Sequence, residues 1–182
     1  MWNSGCYPNL HFKAGGLMDN LAPTQYIHIY TDGGCNPNPG PGGYGVYITS
    51  NLFSDEEIIG DSNGETTTNN RMELMAFITG AKKAAELLPV CANGSVDIQI
   101  FSDSNYVVKG ITVWIYNWIR KPGGLGNVIN GDLWAEALSA YKAIQDSVQV
   151  NWVKGHAKSR GNLKADSLAS LGVERSINVS RN

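Results

Sequence analysis

The chain has 182 residues, 42% hydrophobic and 16% charged, with a formal net charge of −2. That length fits one domain with a sizeable core, and no run of about 18 apolar residues offers a membrane span. The mildly acidic balance argues against a protein that coats nucleic acid by bulk charge and says nothing about local patches.

Cys6, Cys35 and Cys91 are odd in number and form no C-x-x-C, which argues against a disulfide framework or a four-cysteine zinc site. A reducing, cytoplasmic setting fits them best. Residues 1–24 lack the basic start and apolar core of a secretory signal, and the arginines of a transit peptide. They read as a flexible N-terminal extension or an added leader, ahead of one domain over 25–176 and a tail over 177–182.

Tyr26–Thr31 alternates, with Ile27 and Ile29 on one face, and predicts a strand ending at Asp32. It runs into TDGGCNPNPGPGGYG (31–45), where Gly40, Gly42 and Gly45 match the G-x-G-x-x-G of dinucleotide-binding loops. The context rejects that match. Gly45 leads into a second strand, Gly43–Thr49, and not into a helix whose N-terminus could hold a pyrophosphate. Pro37, Pro39 and Pro41 also lack the N–H donors of a phosphate nest. The glycines are expected to let the chain reverse tightly. A third strand is predicted over Glu57–Asp61 and Glu65–Thr67, broken at Asn63-Gly64, which completes an antiparallel meander.

A helix follows over Asn70–Leu88, with Leu74, Phe77, Ala81, Ala84, Ala85 and Leu88 at helical spacing and Pro89 marking its end. Val96–Phe101 is a strand that stops at Ser102-Asp103. Asn105–Ile119 is predicted as helix, 121–131 as a Gly- and Asn-rich loop, and a further helix opens at Asp132. Val148–Val153 is the last strand and Leu163–Val173 the last helix. Three strands followed by alternating helix and strand imply a mixed sheet with helices packed on it. Sites in such sheets lie beyond the carboxyl ends of the strands, where Asp32 and Asp103 fall.

Glu73 falls inside the apolar arc of its helix, centred on Phe77, where an unpaired carboxylate is costly. Its spacing also fits a capping box with Asn70 as N-cap. Asp32 and Asp103 each follow an apolar strand, and strand-end aspartates commonly cap turns or helices. Three converging acids would repel one another and raise at least one pKa, which a divalent cation relieves. Oxygen-only donors suit Mg²⁺ or Mn²⁺ and not zinc. Near the C-terminus, WVKGHAKSRGNLKAD (152–166) places His156, a residue able to shuttle protons, in a loop and Asp166 on the following helix.

Together, TDGGCNPNPGPGGYG, TTNNRMELMA (67–76), SDSNYVVKGI (102–111), DLW (132–134) and WVKGHAKSRGNLKAD resemble the ordered motifs of ribonuclease H type 1, over roughly 26–172. The resemblance implies an α/β, RNase H-like fold: a five-stranded mixed sheet, three antiparallel strands followed by two parallel ones, flanked by helices. It also implies a monomeric endonuclease that cuts the RNA strand of RNA–DNA hybrids and leaves 3′-hydroxyl and 5′-phosphate ends. Two Mg²⁺ ions, with Mn²⁺ as a substitute, would be held by Asp32, Glu73, Asp103 and Asp166. Asp32 would be shared by both ions, Glu73 and Asp103 would serve one, and Asp166 the other. His156 would assist proton transfer or product release.

Substrate contacts carried over by the same resemblance are Cys35, Asn38, Thr68, Asn69, Asn70, Asn105, Trp114, Trp118, Lys121 and Asn162. Asn105 stands where bacterial members often carry the longer Gln. Trp114 and Trp118 are i and i+4, a spacing that equally serves helix packing. Between 104 and 131 the only charges are Lys109, Arg120 and Lys121, a locally positive stretch suited to phosphates. The segment KPGGLGNVING is shorter and less basic than the protrusion of many bacterial members, which implies weaker hybrid affinity or help from another partner. Two other readings remain open: a hybrid-binding protein on this fold without catalysis, and a nuclease acting on DNA, such as a resolvase or integrase core.

Overall fold

The computed structural model describes residues 25–91, 96–155 and 159–181. Strands β1 (Gln25–Cys35), β2 (Gly40–Ser50) and β3 (Glu56–Thr67) are followed by helix α1 (Asn69–Leu87) and strand β4 (Val96–Ser102). Then come α2 (Asn105–Lys109), α3 (Ile115–Trp118), α4 (Gly131–Lys142), strand β5 (Val148–Trp152) and helix α5 (Arg160–Ser180). The sheet has five strands in the order β3-β2-β1-β4-β5. β1 pairs antiparallel with β2 and parallel with β4; β2 and β3 are antiparallel, and β4 and β5 parallel. The expected five-stranded mixed sheet is present.

Alternation in β1 buries Ile27, Ile29 and Thr31 against Leu74, Phe77, Ala81 and Ala84 of α1. The opposite face carries Tyr30 and Asp32 and meets α5, which lies across β2, β1 and β3. Trp134 of α4 is fully buried and donates from Nε1 to the Tyr106 hydroxyl at 2.9 Å, which joins α4 to α2.

Four elements differ from the sequence expectation, each for a physical reason. β1 continues past Asp32 to Cys35, because Asp32–Cys35 stay paired with β2 after the pairing with β4 has ended at Thr31–Ser102. Asp32 therefore stands where β1 and β4 part. β3 is one strand, but 62–65 bulge out between the paired positions 61 and 66, with Asn63 and Gly64 at φ 50° and 79°. The 105–119 helix is interrupted by a π turn over Gly110–Trp114. There the Thr112 hydroxyl donates to the Val108 carbonyl at 2.6 Å, and a Cβ on Gly110 would lie 2.0 Å from the Trp134 ring.

Helix α5 is the fourth. It begins at Arg160 and runs to Ser180, so 177–180 are helical and continuous with the domain. Its last turns are held by a polar contact that hydrophobic periodicity does not register. Ser176 is wholly buried, 2.8 Å from the Ser62 hydroxyl, and accepts from the Gly64 N–H at 3.0 Å.

Candidate active site

Four elements bring one carboxylate each to the point where β1 and β4 separate: β1 supplies Asp32, α1 Glu73, the turn after β4 Asp103, and α5 Asp166. The close approach of α5 depends on glycines of the opening motif. A Cβ on Gly43 would lie 2.2 Å from the Val173 backbone, and one on Gly45 would lie 2.4 Å from the Ala165 carbonyl. These glycines thus admit a helix backbone, the helix that carries Asp166. The turn itself is 36–39, and beyond it Gly40 to Gly45 belong to β2.

Burial and the charges of Asp103, Asp166 and Glu73 push the Asp32 carboxyl up to about 7, although it accepts a 2.8 Å hydrogen bond from the Gly33 N–H. Glu73 is also raised, chiefly by burial and further by Asp103, while a hydrogen bond from Ser104 opposes the rise. The capping-box reading of Glu73 does not hold. Thr68 is the N-cap of α1, its hydroxyl facing the Arg71 N–H at 3.4 Å. Glu73 Oε2 instead accepts from the Ser104 hydroxyl at 2.6 Å. Ser104 caps α2 in turn, by accepting from the Val107 N–H at 3.2 Å. Residue by residue, sequence reasoning missed Ser104, although it lies inside SDSN between two candidate site residues.

Asp103 is held on three sides. Its backbone carbonyl accepts from Trp152 Nε1 at 2.9 Å, its Oδ2 accepts from Asn162 Nδ2 at 3.3 Å, and a Cβ on Gly155 would lie 3.1 Å from that same oxygen. Asn162 is 2% exposed, so it stands behind the carboxylate and not at a surface that a substrate could touch. Its Oδ1 has no hydrogen-bond partner, a condition that costs about 1–3 kcal/mol when left unmet.

An open pocket of about 480 Å³ lies in front of Asp32 and Asp166, lined also by Gly34, Cys35, Asn69, Ser170 and Glu174. At its lip the expected substrate residues form one polar cluster. Asn69 Oδ1 accepts from the Cys35 N–H at 2.9 Å, and Asn38 Oδ1 faces the Cys35 thiol at 3.3 Å and the Asn69 backbone N–H at 3.4 Å. Asn70 and Asn105 are exposed at the starts of α1 and α2. Glu174, two turns beyond Asp166 on the same face of α5, is a pocket residue that sequence reasoning did not single out.

Trp118 and Lys121 line a separate concavity of about 460 Å³ with Pro122, Gly124, Asn127 and Val128. Trp118 packs on Trp134 at 5.1 Å between ring centroids, and Trp114 lies 5.9 Å from Trp118. The pair therefore serves helix packing through Trp118, and both rings are half-buried. His156 lies outside the described residues.

All four acids offer hard oxygen donors of the kind Mg²⁺ and Mn²⁺ take. Among the described residues, no three potential ligands stand close enough, as placed, to enclose an ion together. Carboxylates with no cation between them repel. A proton retained by Asp32 near neutral pH is the same strain expressed as titration, and a bound cation would take that proton's place.

Comparison with known proteins agrees with this architecture. The RNase H family model matches residues 24–174. The chain is 42% identical over 156 residues to ribonuclease HI of Rickettsia prowazekii (strain Madrid E), covering 84% of this chain and 94% of that protein. It is 39% identical over 160 residues to ribonuclease H of Polaromonas naphthalenivorans (strain CJ2), covering 86% and 92%. The fold also matches LC11-RNase H1, solved in complex with an RNA/DNA hybrid, at a TM-score of 0.56 and 22% identity, covering 83% and 99%. With an acid from each of four elements gathered where β1 and β4 part, and with the family model spanning nearly the whole described chain, this protein belongs to the RNase H family.

Proposed function

We propose that this chain is an endonuclease that hydrolyses the RNA strand of RNA–DNA hybrids by a two-metal-ion mechanism, leaving 3′-hydroxyl and 5′-phosphate ends. The observation that carries this reading is the convergence of Asp32, Glu73, Asp103 and Asp166, with Asp32 pushed up to about 7. An RNA/DNA hybrid held by a protein of the same fold supports the substrate class.

Asp32, Glu73, Asp103 and Asp166 would hold two Mg²⁺ ions, with Mn²⁺ as a substitute. Bound divalent cations supply a water of lowered pKa and neutralise charge on the departing oxygen. The four carboxylates offset the charge of two such ions and leave the site able to accept a phosphate. Ser104 keeps Glu73 turned toward the site through its 2.6 Å hydrogen bond. Asn38, Asn69 and Asn70, beside Cys35 and Thr68, present donors and acceptors suited to 2′-hydroxyls and base edges of a wide minor groove. Trp114, Trp118 and Lys121 offer apolar surface and one positive charge to the DNA strand. His156 would move a proton or aid product release. We place the protein in the cytoplasm as a monomer; no helix among the described residues is long and apolar enough to cross a membrane.

A labelled hybrid duplex tests the reading. Cleavage of its RNA strand with Mg²⁺ but not with EDTA, lost in Asp32→Asn, is the expected result. Binding without cutting would leave a hybrid-binding protein, and equal cutting of a DNA duplex would leave a DNA nuclease.

A further inference from the structure

The unpartnered Oδ1 of Asn162 is the one buried side-chain polar atom among the described residues that finds no hydrogen-bond partner. Native interiors rarely leave such an atom without a reason, and the usual reasons are a functional role or a water or ion that completes the set. Its location narrows the choice. Asn162 sits in the first turn of α5, one turn before Asp166 and on the same helix face. Its Nδ2 reaches Asp103 Oδ2 at 3.3 Å. One face of one helix therefore offers a negative charge to Asp32 and a neutral donor to Asp103.

The chemistry of a carboxamide suits this position in a way that no other side chain of its size does. A carboxylate there would add a fifth negative charge directly against Asp103. A leucine of the same shape would orient nothing. An amide donates to Asp103 without adding charge and keeps an acceptor in reserve. Ionised acids donate nothing, so an acceptor held in reserve beside them suits a donor that arrives with a ligand. Water bound to a divalent cation is such a donor, because Mg²⁺ usually keeps several of its waters when bound by carboxylates.

We propose that Asn162 is a positioning residue that holds the Asp103 carboxylate through its N–H and accepts, at Oδ1, a hydrogen bond from a cation-bound water. The proposal rests on the reading of the acidic cluster as a divalent-cation site. It replaces direct substrate contact as the role of Asn162, since a side chain that is 2% exposed cannot touch a duplex. Asn162 then acts on cation affinity and turnover and leaves hybrid binding alone. Outer ligand partners of this kind typically alter metal affinity by 10–100-fold.

The test uses the full chain and Asn162→Leu, which removes both polar functions while conserving shape. Such a change also removes the unmet carbonyl, so the melting temperature in EDTA should be equal to or above that of the wild type. Calorimetric titration with Mg²⁺ alone should show affinity lower by about tenfold. Turnover on a hybrid should fall while KM stays put. Equal Mg²⁺ affinity in the two proteins, or a rise in KM at constant kcat, would overturn the proposal. Should the leucine variant fail to fold, the wild type decides by NMR: the Asn162 side-chain amide signals should move on Mg²⁺ addition, and unmoved signals sink the idea. A wild type that binds no divalent ion removes the cation-site reading and this proposal together. One that binds Mg²⁺ equally with and without the Asn162 amide removes the proposal alone.

Discussion

At the scale of single residues, Asp32 shows how a site can oppose the fold that carries it. Its carboxyl ordinarily titrates near 3.8 but is pushed up to about 7 by burial and by Asp103, Asp166 and Glu73. Between those values the folded chain keeps a proton that the unfolded chain has lost. Stability of the cation-free protein therefore falls as pH rises through that window, by up to about 4 kcal/mol across it. Denaturant titrations in EDTA at pH 4, 5.5 and 7 should show the decline, and Asp32→Asn should flatten it while abolishing cleavage. A flat wild-type profile would mean that neither burial nor the neighbouring acids raise the Asp32 carboxyl. The identities of the four acids were legible because each lies in or at the end of a recognisable stretch. Ser104 was not, and Asn162 was singled out only as a substrate contact, because what distinguishes both is a partner distant in sequence.

At the scale of elements, the decisive contact is α5 on β2. Gly43 and Gly45 bring the helix backbone to distances that no Cβ could share. Gly45→Ala should therefore displace α5, cost about 1–3 kcal/mol or more, and reduce cleavage disproportionately, because Asp166 moves with the helix. A melting curve and a cleavage assay on the same sample check both halves; full activity in a destabilised variant would separate α5 placement from catalysis. Helix α5 is also where sequence patterning stopped short, since its last turns are secured by Ser176 on the Ser62–Gly64 bulge and not by an apolar stripe. The π turn at Gly110–Trp114 was hidden for a similar reason. The Trp134 ring that Gly110 accommodates there is contributed by another helix.

At the scale of the whole molecule, a net charge of −2 has to coexist with binding of a polyanion. The positive charges available are few and local, with Arg120 and Lys121 beside the Trp118 concavity and Lys154 leading into the loop before α5. Each phosphate neutralised contributes about −0.9 to the slope of log affinity against log salt, so a chain with few such contacts should show a shallow slope. Lys121→Ala should flatten it further, by roughly one. Binding measured from 50 to 200 mM salt tests this, and an unchanged slope would remove Lys121 from the interface.

The order of strands and helices, the sheet class and the four acids could all be read along the chain, because hydrophobic alternation, helical spacing and the ordered motifs are local properties of sequence. The glycine run could be recognised as no dinucleotide loop for the same reason, since a strand and not a helix follows it. Only the tertiary structure decided why those glycines are there, which carboxyls are pushed up in pKa, and which polar side chains stand behind the acids. Those are questions of which backbone lies within a few ångströms of which other. The answer depends on how α1 and α5 close on opposite faces of one sheet.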